Sequence, residues 1–132
     1  MPAYDTNWFA PPAPLAHVTL RNPETGATQT DIPMLLDTGA DVTLIPQAVL
    51  ITLGVVVGTG QQYELVNFDG STSFAPVVRV EMTFLARTFR GQFLLLEQEW
   101  GIIGRNILNA MPLLFDGPNL MWDQFQPSAK QR

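Results

Sequence analysis

Proline and glycine recur so often in this 132-residue chain, eleven times and ten times, that short strands suit it far better than long helices. Proline removes a backbone donor and fixes φ, and glycine weakens the interior of any regular element. A chain punctuated in this way reads as all-β, or mostly β with one or two short helices. Its length allows one domain with a real core and is too short for two. At 46% hydrophobic it is not a disordered sequence. Only 14% of its residues are charged, against an average of roughly 25%. Much of the surface is therefore expected to be covered, part of it by a partner subunit.

The pattern along the chain divides it into an extended N-terminal arm at 1–14 with four prolines, a domain at 15–126, and a short tail at 127–132. Residues 15–20 alternate loosely and 27–36 resume a strand, with the turn cluster Asn22-Pro23-Glu24-Thr25-Gly26 between them, so a hairpin is expected. The β-branched run Val42-Thr43-Leu44-Ile45 ends at Pro46, which suits the start of a short helix over 46–53 stopped by Gly54. Consecutive strands follow from Gln61 to Leu96. Asp69-Gly70 is the strongest hairpin turn signal, Val78 to Phe84 alternates apolar with polar, and Phe93 to Leu96 is apolar on both faces. A short helix at 105–110 and a last hairpin, Leu113-Leu114-Phe115 with Leu120-Met121-Trp122, complete a closed barrel-like domain.

Composition then excludes most chemistries. The net charge is −5, and the seven basic residues form no cluster along the chain, so no nucleic-acid groove is expected. There is no cysteine, and His17 is the only histidine. Thiolate catalysis, a serine or cysteine nucleophile with its histidine base, and an ordinary zinc site are all disfavoured. Neither metal nor cofactor is expected, and the catalytic menu narrows to carboxylates. No charged segment followed by an apolar stretch opens the chain, and no apolar run approaches a bilayer span. The expectation is a cytoplasmic protein with no membrane partner.

One carboxylate stands apart. In Leu35-Leu36-Asp37-Thr38-Gly39-Ala40-Asp41 an aspartate ends an apolar strand, where desolvating it is expensive unless it is paired, hydrogen-bonded or protonated. Gly39 permits a tight loop, and Thr38 offers a hydroxyl that can lock it. Taken alone, Asp-x-Gly is also a common surface turn in which the aspartate merely caps the backbone. Downstream, however, stands Gly101-Ile102-Ile103-Gly104-Arg105-Asn106. Leu-Leu-Asp-Thr-Gly-Ala-Asp joined to Ile-Ile-Gly-Arg-Asn resembles the retropepsins, the aspartic proteases of retroviruses and their cellular relatives, over about residues 15–123.

That resemblance implies a closed acid-protease barrel with one domain per subunit, and a role for each matching residue. Asp37 is the catalytic carboxylate, with Thr38, Gly39 and Ala40 as its loop. Thr38 bonds to its twin across a dimer axis, and Gly39 offers its carbonyl to substrate. Asp41 and Arg105 form a supporting ion pair, with Asn106 beside them. The hairpin at 65–74 falls where the family carries its flap, with Phe68, Asp69, Gly70 and Ser71 at its tip. That tip is more polar than the viral pattern, closer to cellular members. The hairpin Leu113–Trp122 is a candidate dimer contact through Trp122 or Met121, or else packs within its own subunit. Val42, Ile45 and Ile103 are candidates for an apolar substrate wall.

The triplet Asp-Thr-Gly occurs once. Hydrolysis by this route needs two carboxyls in different protonation states, and two held about 3 Å apart cannot both ionise. The second is therefore expected from a symmetry mate, making a homodimer that acts on a polypeptide. The competing expectation is a retropepsin-fold module that dimerises and grips peptides with weak or no turnover.

Overall fold

The computed structural model describes residues 2–55, 62–66 and 69–126. Phe68 of the expected flap tip and the tail at 127–132 lie outside the described residues. In chain order the elements are β1 (Tyr4–Asp5), β2 (Ala13–Arg21), β3 (Thr28–Leu36), β4 (Leu44–Pro46), α1 (Gln47–Leu53), β5 (Gln62–Val66), β6 (Thr72–Phe84), β7 (Arg87–Leu96), β8 (Gly101–Ile103), α2 (Arg105–Leu108), β9 (Leu113–Asp116) and β10 (Met121–Gln124). The fold is mostly β with two short helices, as the density of proline and glycine predicts.

Six strands close on themselves in the order β2–β3–β8–β4–β7–β6, with β6 returning to β2. The two parallel pairs, β3 with β8 and β4 with β7, place non-consecutive segments side by side. Gly101 sits opposite Met34, where an added Cβ would lie 2.6 Å from the Leu44 carbonyl oxygen and 2.3 Å from the Met34 sulfur. Only a glycine lets β8 slot between β3 and β4.

Alternation along β6 builds the interior. Val78, Val80, Met82 and Phe84 point inward and are buried, while Arg79 and Thr83 face out. They meet Val18, Leu20, Met34, Ile45 and Ile103 in one core. Phe93 joins that core, and its neighbour Leu94 packs outside it with Leu44, Val42, Val77 and Ile102. This strand is covered on both faces, as its doubly apolar sequence implies. The turn between β6 and β7 carries no asparagine or glycine. Leu85 and Ala86 take positive φ (51° and 62°) to make a two-residue connection with Phe84 opposite Arg87, so no local signal marked it. In α1, Pro46 is the N-cap and also the last residue of β4, and Gly54 closes the helix at φ 68°.

The N-terminal arm folds back on the barrel. Tyr4 and Asp5 pair with Pro14 and Ala13, β2 begins inside the expected arm, and the ring of Phe9 meets Trp100 at 4.9 Å. Ala3 bridges to Met121, and the Trp122 amide donates to the Pro2 carbonyl. Trp122 is 1% exposed, and its indole N–H donates to the Leu15 carbonyl at 3.0 Å. Of the two expectations for this hairpin, Trp122 follows packing within its own subunit and not contact with a partner: a buried indole needs an acceptor, and this one finds it in the Leu15 carbonyl. Among the described residues no helix is long and apolar enough to cross a membrane.

Candidate active site

β3 ends at Leu36, and the chain turns at once into the loop that carries Asp37. The Asp37 amide donates to the Ile103 carbonyl at 3.1 Å, which carries the β3–β8 pairing one step past the strand end. Its carbonyl accepts from the Ala40 amide at 3.2 Å, and its Oδ1 accepts from the Gly39 amide at 2.9 Å. The carboxyl is thus oriented by its own loop and left half-buried, while Thr38 and Gly39 are exposed. Ordinary surface turns also use an Asp-x-Gly hydrogen bond, so the difference lies in what holds this loop.

Residues 103–106 staple it. The Arg105 amide donates to the Ala40 carbonyl at 2.8 Å, and the Arg105 guanidinium to the Thr38 carbonyl at 2.7 Å. Gly104 lies so near Val42 that an added Cβ would stand 2.2 Å from its carbonyl oxygen. Behind the loop, Thr43 is 1% exposed and tied on several sides. Its hydroxyl donates to Asn106 Oδ1 at 2.7 Å and accepts from the Gly104 amide at 3.0 Å, and its carbonyl accepts from Leu94. Sequence reasoning passed over Thr43. The available signal was a hydroxyl within an otherwise apolar run, set against an asparagine in Gly-Arg-Asn. A buried hydroxyl of that kind needs both a donor and an acceptor role satisfied.

The expected Asp41–Arg105 ion pair is corrected. Among the described residues Asp41 enters no ion pair or hydrogen bond, and it is exposed. An exposed ion pair contributes only about 0–1 kcal/mol, whereas the Thr38 carbonyl offers Arg105 an acceptor fixed by the loop. Arg105→Ala is therefore expected to cost about 1–2 kcal/mol in chemical denaturation, and Asp41→Ala less than about 0.5 kcal/mol. Equal losses for the two variants would restore the ion pair.

Other sequence-chosen residues fall elsewhere. Ile45 and Ile103 are fully buried in the core and cannot wall a cleft, while Val42 is half-buried beside Ile102. Asp69, Gly70 and Ser71 turn the chain between β5 and β6, with Gly70 at φ 86°. Hydrogen bonds from the Ser71 hydroxyl, and then from its amide, hold the Asp69 carboxyl below its ordinary pKa. Among the described residues no second carboxylate shares a hydrogen bond with Asp37, and no three His, Asp or Glu side chains converge as a metal set.

No family model matches the chain, and no curated protein sequence matches it. Among solved structures, EIAV protease complexed with the inhibitor HBY-793 matches with a TM-score of 0.55 and 23% identity, over 74% of this chain and 86% of that one. At that identity the likeness speaks for architecture alone. The fold is retropepsin-like.

Proposed function

We propose that the protein is an aspartic endopeptidase in which two copies pair about a two-fold axis and each supplies one Asp37. The observation that carries this reading is the Asp37 loop: a half-buried carboxyl aimed by the Gly39 amide, on a loop stapled by Arg105, in a retropepsin-like barrel. A turn that only capped backbone would not need a guanidinium, a buried threonine and a glycine packed against it.

In the paired state one Asp37 carboxylate takes a proton from a water, while the other, protonated, donates to the scissile carbonyl. The water attacks the carbonyl carbon, and the proton passes to the leaving amine as the C–N bond breaks. No cofactor enters these steps. Substrate lies extended, so that main-chain hydrogen bonds hold it and side-chain pockets select it. The β5–β6 hairpin is the lid. Along β6, Phe74 keeps the inward parity of Val78 and Val80 but stands beyond the core, 61% exposed, with Val66 across the hairpin 76% exposed. Apolar surface left bare there suits a substrate side chain. Val42 and Ile102 extend the preference for apolar residues.

The partner meets the C-terminal hairpin. Residues 2–4 already cover the β10 edge, while the β9 strand presents Leu114 and Phe115, 47% and 41% exposed, near Leu120 and Phe125 at 39% each. Both the dimer and the site then depend on concentration. Cleavage of an unfolded protein substrate from pH 3 to pH 8, at several enzyme concentrations, tests the reading. Activity is expected to rise faster than linearly with concentration until the dimer saturates. A dimer that binds the substrate and leaves it intact at every pH would overturn the peptidase in favour of a peptide-binding module.

A further inference from the structure

The basic residues are scattered in sequence, yet the fold gathers three arginines on one outer face of the barrel. Strand register sets Arg21 of β2 opposite Glu81 of β6, and Glu81 opposite Arg90 of β7, so the three side chains form a row across the sheet. Arg90 Nε donates to Glu81 Oε2 at 2.6 Å, and Arg21 Nη1 donates to Oε1. Arg90, and then Arg21, hold the Glu81 carboxyl below its ordinary pKa. Both carboxylate oxygens are therefore engaged.

Arg79 lies two residues from Glu81 on the same face, a diagonal neighbour of Arg90. Among the described residues its side chain has no hydrogen bond or ion pair, and it is exposed. It lines a groove of about 340 Å³ with Pro23, Val80, Glu81, Arg90 and Gly91. Gly91, at φ 145° with nothing within 4 Å of a would-be Cβ, leaves the floor open. Two guanidiniums thus hold one carboxylate and a third stands unpaired on the same face, on a chain whose net charge is −5.

We propose that this groove docks an acidic segment of another polypeptide, seating a side-chain carboxylate between Arg79 and Arg90. Guanidinium pairs hold carboxylates through parallel, charge-assisted hydrogen bonds. Pro23 gives the aliphatic part of such a segment an apolar contact beside the arginines. A nucleic acid fits poorly, because a surplus of two positive charges neutralises too few phosphates and the acidic remainder of the chain repels the rest. The face points outward from the barrel, so the docking does not rest on the peptidase reading.

The test uses fluorescence anisotropy of a labelled peptide alternating glutamate and serine, against the same peptide with lysine, on the full chain carrying Asp37→Asn. That background keeps the peptide intact whether or not the wild type is a peptidase. The glutamate peptide is expected to bind, more weakly as salt rises. Arg79→Ala should weaken it about ten-fold, with Arg79→Lys in between. Arg79→Ala leaves both partners of Glu81 in place, so its melting temperature should match that of the background. Equal binding by Arg79→Ala, equal binding of the lysine peptide, or no binding of the glutamate peptide would each overturn the proposal.

Discussion

Asp37→Asn is expected to lower peptide-bond cleavage by roughly 10²–10⁴-fold while the protein still folds and pairs. Asparagine is nearly isosteric with aspartate, and its carbonyl oxygen can still accept from the Gly39 amide, the contact that Asp37 Oδ1 makes at 2.9 Å. The backbone anchors to Ile103 and Ala40 do not involve the side chain. On the proposed reading, what disappears is the group that takes a proton from water and returns one to the leaving amine. In a homodimer the substitution removes it from both halves at once. Turnover by Asp37→Asn, side by side with wild type and with sedimentation confirming the same assembly, is the measurement. Undiminished cleavage would remove Asp37 from the chemistry and the peptidase reading with it. Loss of cleavage together with loss of dimer would assign Asp37 to assembly instead.

Gly104→Ala is expected to be the most damaging methyl group added at any of the described glycines, at about 3 kcal/mol. At φ −92° alanine meets no conformational objection there, so the effect is one of space alone. The new Cβ would stand 2.2 Å from the Val42 carbonyl oxygen and 2.6 Å from its carbonyl carbon. Both are backbone atoms that cannot rotate aside. Relief requires the segment after Asp37 to part from the start of α2, which loosens Arg105 from Ala40 and Thr38 and disturbs the Thr43 contacts. Thermal unfolding should fall by roughly 10 °C, and activity should fall further than stability alone explains. Gly117→Ala, with nothing within 4 Å, is the control and should change stability by less than about 0.5 kcal/mol. If the two variants melt together, the close approach at Gly104 does not constrain the loop.

Local chemistry was readable from the chain itself. Proline and glycine density, two-residue alternation in β6 and the Asp69-Gly70 turn are properties of a few adjacent residues, and each corresponds to an observed element. The short helix before Gly54 is legible for the same reason, with its start one residue later than expected at Gln47. The second helix ends at Leu108, two residues short of the expected 110, because nothing local marks that boundary. The loop bearing Asp37 and the glycine before Arg105 were also visible, since a strand end and a tight turn leave a signature in sequence.

Everything that depends on which strand lies beside which was decided by the tertiary structure. Sheet order places β8 between β3 and β4, and nothing in any one of those segments names its neighbours. Arg105 has the residue type for an ion pair with Asp41, yet the closed loop presents the Thr38 carbonyl first. Trp122 looks like a contact for a partner until residues 2–4 and Leu15 fold over it. Arg21, Arg79 and Arg90 form no cluster along the chain and become a single charged face only when β2, β6 and β7 align. The physical reason is range. Backbone sterics and side-chain periodicity act over a few residues and are written in the order of the chain, whereas pairing partners are selected by barrel closure, where burial and register must be satisfied for all six strands at once.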